Sequence, residues 1–154
     1  MLLDRKHQEH LGRLAGQLRC AQAVTADLMA QVIAQACRRF AACGPAARTR
    51  VGQLIESGAW TDAALALVEL ELPKWKIRRL VHEDDEWFCS LSRHPWLPLG
   101  LDELAVANHE SLPLAVLLAF LEARRAAAES AGSLTRVPHA RPASGYAVCC
   151  DNFS

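Results

Sequence analysis

The adjacent thiols Cys149 and Cys150 carry the most evident chemistry in this 154-residue sequence. A disulfide between neighbours closes a small ring that strains the peptide, so such a pair is better suited to capturing a soft metal or bridging two chains. Redox or metal work needs a lowered thiol pKa, supplied by a nearby cation or a helix N-terminus. The flanking residues supply neither, and Asp151 opposes it. A second set is His82, Cys89, His94 and His109. Three such ligands would suit zinc, yet no two have the local spacing of a structural zinc motif. The candidate metal ligands are therefore Cys149, Cys150, His82 and His94, and a thiol- or metal-dependent redox protein is the alternative reading of the chain.

Other reactive clusters have plainer uses. His109-Glu110-Ser111 brings three reactive types together, but neighbours on a helix point apart, and capping the helix from Leu112 accounts for them. Four consecutive carboxylates, Glu83 to Glu86, lack the glycine and alternating oxygens of a calcium loop. Lys74, Lys76, Arg78, Arg79 and Arg93, interleaved with Trp75 and Trp87, could stack and neutralise a single nucleic-acid strand. A strand would put Lys76 and Arg78 on one face and Arg79 on the other, which splits that surface. There is no G-x-S-x-G, no glycine-rich phosphate loop, no H-E-x-x-H and no C-x-x-C. The expectation is no catalytic residue and no cofactor.

The composition narrows the class. Hydrophobic residues make up 51% and charged residues 22%, enough for a packed core and too apolar for wholesale disorder. Lys+Arg and Asp+Glu both number 17, so the global basic field of a dedicated nucleic-acid binder is missing. Charge is nevertheless zoned: residues 1–50 hold eight bases against three acids, and residues 51–73 hold four acids and no base. The longest apolar stretch, Leu112 to Leu121, has ten residues, about half a membrane span. Nothing at the start resembles a signal peptide. A cytoplasmic protein with six free thiols is expected.

These residues must be positioned by mostly helical elements. Over 2–42, Leu11, Leu14, Leu18, Ala21, Thr25, Leu28 and Val32 step by three and four, which predicts one long helix or two, with a seam for a coiled coil or an antiparallel helix pair. Gly44-Pro45 ends it. Residues 46–59 and 61–72 read as a helical hairpin, broken at Ser57-Gly58, with Thr61 as N-cap of the second helix and Pro73 as its stop. Trp75 to His82 and Trp87 to Ser92 read as a β-hairpin. A two-residue loop at Asp84-Asp85 pairs Glu83 with Glu86, Val81 with Phe88 and Leu80 with Cys89. One face then carries Trp75, Ile77, Val81 and Phe88; the other carries Leu80, Trp87, Cys89 and Leu91. Both are apolar, so helices must cover both or one must meet another chain. Beyond an irregular connector, Leu101 to Ala107 read as a short helix. The principal core helix begins at Leu112, with Pro113 harmless in its first turn. Residues 130–145 read as a linker, followed by a docking tail with Tyr146, Val148 and Phe153.

The stretch Trp75-Lys76-Ile77-Arg78-Arg79-Leu80, with Trp87-Phe88-Cys89-Ser90-Leu91-Ser92-Arg93 and His109-Glu110-Ser111-Leu112-Pro113-Leu114-Ala115, resembles a group of small uncharacterised alphaproteobacterial proteins of rhizobial type. The resemblance covers about residues 50–129 and implies a bacterial cytosolic setting, with no chemistry attached. Taken together, the sequence predicts an α+β, predominantly helical fold in three segments: an N-terminal helical segment 1–45, a compact domain 46–129, and a flexible linker and tail 130–154. The expected function is a non-enzymatic protein-interaction or regulatory domain. Its partner would be a second copy or another protein, through Leu11, Leu14, Leu18, Leu28 and Val32 and through Tyr146, Val148 and Phe153. No membrane is implied, and the charge balance argues against nucleic acid.

Overall fold

Eight consecutive residues, Leu114 to Leu121, are buried on every side. A helix that is apolar all round has to lie at the centre of its domain, and α6 (Leu112–Leu134) does so. The computed structural model describes residues 2–134, with side chains over 4–130. Among them the chain is α+β and mostly helical: six helices and one three-stranded antiparallel sheet. The predicted linker and tail, with Tyr146, Val148, Cys149, Cys150 and Phe153, lie outside the described residues except where α6 runs on to Leu134.

The N-terminal stripe forms two helices rather than one, α1 (Leu2–Cys20) and α2 (Ala26–Ala36). Thr25 separates them. Its backbone is extended and its hydroxyl accepts from the Leu28 N–H at 3.2 Å, the geometry of an N-cap. Leu11, Leu14 and Leu18 of α1 and Met29, Val32 and Ala36 of α2 join one hydrophobic core with α6. The stripe thus packs against helices of its own chain, the helix-pair alternative of the two that its periodicity allows.

A short helix, α3 (Arg38–Ala42), follows, and then α4 (Pro45–Glu56) and α5 (Trp60–Glu71) form the expected hairpin. Gly58 turns the corner with φ +72, the left-handed conformation that glycine adopts without strain. The α5 N-cap is Ala59, without a side-chain hydrogen bond, so Thr61 sits inside the first turn instead of capping it. At its other end α5 supplies Glu71, a carboxylate only 2% exposed. Glu71 accepts from the backbone N–H groups of Arg39 at 3.1 Å and Phe40 at 2.7 Å, satisfying donors at the start of α3.

The β-hairpin has the expected register at its turn end. β1 (Lys76–Glu83) and β2 (Glu86–Ser92) pair Glu83 with Glu86, Val81 with Phe88 and Leu80 with Cys89. Asp84 and Asp85 both have positive φ, +52 and +63, as a two-residue type I′ turn requires. A bulge between Ile77 and Arg79 then shifts the ladder, so Ile77 lies opposite Leu91 instead of on the face of Val81 and Phe88. The third strand is a correction. Leu104–His109 forms β3, paired antiparallel with β2, where a short helix over Leu101 to Ala107 was expected. A helix that short is marginal alone. Pairing Ala105 with Leu91 and Ala107 with Cys89 lets the segment cover α6.

The buried carboxylate gives a direct test of this packing. Glu71→Ala leaves two backbone donors of α3 without an acceptor and should cost about 2–4 kcal/mol. Glu71→Gln keeps one acceptor oxygen and should cost roughly half as much. Urea unfolding of both variants checks the order.

Candidate functional site

Residues 93–103 join β2 to β3, and one polar knot shapes that connection. The Asp102 carboxylate is fully enclosed. It accepts from the Arg78 guanidinium at 2.6 Å, from the backbone N–H of His94 at 2.8 Å and from the Ser92 hydroxyl. Arg78 also donates to the Leu97 carbonyl at 3.0 Å. Arg78 is the extra residue of the β1 bulge, so the bulge aims this side chain into the connection. Burial alone would raise the Asp102 pKa; the bonds from Ser92, His94 and Arg78, with the charge of Arg78, outweigh it and hold the carboxyl below its ordinary value.

With its base tied down, the connection presents apolar side chains to water. Trp96 is 75% exposed, Leu99 65% and Leu101 71%. Val106, in β3, is 44% exposed. The face of the sheet away from α6 carries Phe88, with the Arg79 guanidinium 5.5 Å over its ring. The two sheet edges differ. β1 carries Lys76, Arg78, Arg79 and Glu83 and the bulge, whereas β3 reads Leu-Ala-Val-Ala-Asn-His without a formal charge. Charges and bulges are the usual guards of an exposed edge; the β3 strand itself has neither, and the charges nearest its first half are Glu122, Arg125 and Glu129 of α6.

The histidines and Cys89 do not gather. His82 pairs with Trp87 and Trp87 with His109 across the sheet, so the two histidines flank a tryptophan at about 10 Å, two strand spacings apart. The His82 ring packs on Trp87 at 4.9 Å, and His94 meets Trp96 edge-on at 5.3 Å. His109 Nδ1 accepts from the Ser111 N–H at 2.9 Å, just ahead of α6. Among the described residues no group of three His, Cys, Asp or Glu side chains could hold a metal. Cys89 lies opposite Leu80, fully buried, and burial raises its thiol pKa to about 11. Burial also raises that of Cys37, with the Glu71 carboxylate adding to the effect.

The basic hairpin residues part company. Arg78 is spent on Asp102, Arg79 reaches Glu83 at 3.4 Å, and Trp87 packs with His82. Lys74, Trp75 and Arg93 instead line a cavity of about 280 Å³ together with Arg39 and Arg124. Arg39 and Arg124 carry no sequence signal for this site, since 85 residues separate them in the chain. Of the expected interaction residues, Leu11, Leu14, Leu18 and Val32 are fully buried and Leu28 is half-buried; among the described residues the exposed large apolar side chains are Trp96, Leu99, Leu101, Val106 and, on β1, Ile77.

The chain matches no protein-family model, and no curated protein or solved structure is significantly similar to it. No helix among the described residues is long and apolar enough to cross a membrane.

Two measurements test the site as described. The folded-state pKa of Asp102 lies below its unfolded value, so its contribution to stability is fully present above about pH 4 and is lost as pH falls through the lower, folded value. Asp102→Asn should therefore flatten the fall in urea midpoint between pH 6 and roughly pH 3; an unchanged slope would disprove the role. At about pH 8, a thiol with a pKa near 11 is thiolate in only about one molecule in a thousand. Alkylation of the native protein, mapped by mass spectrometry, should label exposed Cys20 and spare Cys37 and Cys89 until urea is added.

Proposed function

We propose that this chain is a non-enzymatic interaction domain of a bacterial cytosol that pairs with a second copy of itself along β3. The observation carrying this reading is the contrast between the two sheet edges: β1 is guarded by charge and a bulge, and β3 is neutral and regular. Two copies of one strand laid antiparallel about a two-fold axis are self-complementary, because each residue meets its symmetry mate's partner. Such pairing extends the sheet to six strands and covers part of the exposed Val106. Leu99 and Leu101, in the connection that leads into β3, add further exposed apolar side chains. The resemblance to small alphaproteobacterial proteins supports the cytosolic setting.

Analytical ultracentrifugation is expected to give twice the chain mass at roughly tens of micromolar, a range in which an obligate dimer persists. Val106→Lys puts an edge guard on β3 and should yield a monomer, with circular dichroism and urea midpoint close to those of the parent. A monomeric parent at that concentration would refute the proposal, as would a Val106→Lys variant that stays folded and dimeric.

A further inference from the structure

The cavity beside Trp75 is built from four separate parts of the chain. Arg39 comes from α3, Lys74 from the α5–β1 connection, Arg93 from the residue after β2, and Arg124 from α6. Leu72, Pro73, Trp75 and Ala127 form its apolar wall. Four cationic side chains thus converge on one concave space, and the acids beside them are already engaged. Glu71 lines the cavity too, and both of its oxygens accept from the backbone of α3. Glu103 pairs with Arg93 at 3.1 Å and accepts from the Ser130 hydroxyl at 3.3 Å. Among the described residues, Arg39, Lys74 and Arg124 form no ion pair.

Arg124 is the least satisfied of the four. Its Nε is buried and has no acceptor among the described residues. Burial is the main cause that lowers its pKa; the Glu71 carboxylate opposes this, while Arg38 and Arg39 push further in the same direction as burial. A half-buried guanidinium beside two others is costly to hold, and a buried donor without a partner calls for one. An anion in the cavity would supply the acceptor and remove the repulsion at once.

We propose that this cavity binds a small phosphate monoester, with the phosphate held by Arg39, Lys74, Arg93 and Arg124 and a short carbon skeleton against the Trp75 wall. Phosphate suits the geometry because donors arrive from four elements, and a tetrahedral group with three free oxygens offers acceptors in more directions than a planar carboxylate does. Arginine forks bind phosphate oxygens in pairs, and lysine adds a point charge. The size also fits: about 280 Å³ lies at the lower end of small-molecule sites, ample for a phosphorylated fragment and small for a dinucleotide. The two proposals rest on different residues, Val106 for the edge and Arg39 and Lys74 for the cavity, so each can fail without the other.

The test is calorimetric titration of the full chain with inorganic phosphate and with glycerol 3-phosphate, in chloride at constant ionic strength. Saturable binding at one site is expected, tighter for the ester. Lys74→Gln should weaken it about tenfold, and Arg39→Gln added to it should abolish it. Both side chains are exposed, so circular dichroism should show the fold unchanged. No saturation up to about 10 mM, well beyond millimolar affinity, would overturn the proposal, and so would full binding by folded variants. Succinate binding as well as phosphate would show that the cavity reads charge alone, and would remove the phosphate assignment.

Discussion

The structure depends on covering one helix. Leu114 to Leu121 of α6 are buried around the whole circumference, which no single layer can achieve. The sheet takes one side, α1 and α5 take others, and each fully buried Leu or Phe there contributes about 1.5–3 kcal/mol relative to exposure. That demand explains why a segment as bland as Leu104–His109 becomes a strand and why α1 is drawn inward. Both are recruited to a surface that must be kept dry. It also explains the small residues Ala105 and Ala107 on β3, which let the helix approach the sheet closely.

Two buried carboxylates tie the irregular parts to this centre. Glu71 fastens α3 to the end of α5, and Asp102 fastens the β2–β3 connection to the base of β1. Each accepts several donors at once, so neither is an orphan charge, and each spans a long stretch of sequence. The connection can therefore expose Trp96, Leu99 and Leu101 from a fixed base, where an untied loop would let them collapse onto the core.

The legible parts of the fold were those with local causes. The Asp84-Asp85 turn sets the hairpin register because both residues tolerate left-handed backbone, and the pairing of Val81 with Phe88 follows by counting. The apolar run after Leu112 marks the core helix by length and composition. What could not be read had distant causes. The bulge at Arg78 exists with a partner at Asp102, and β3 is a strand because β2 offers it a free edge. The Leu11–Val32 stripe was visible as a stripe, but periodicity says nothing of whether the mating helix belongs to the same chain. The cavity was half visible: Lys74 and Arg93 stood out beside the tryptophans, whereas Arg39 and Arg124 joined them only through tertiary packing.

The guarded edge of β1 has a consequence for stoichiometry. A sheet that adds a neighbour along one side and offers the same surface on the other can keep growing, and such growth ends in fibres. Here the two sides are unlike. If β3 is taken by another β3, the outer margins of the enlarged sheet are two copies of β1, each lined with Lys76, Arg79 and Glu83 and kinked at its bulge. Charged side chains then face any third molecule, and the kink denies it a straight ladder. The same lysine and arginines that made the hairpin look like a ligand-binding surface would act as a terminator, making two the largest assembly that this sheet can build.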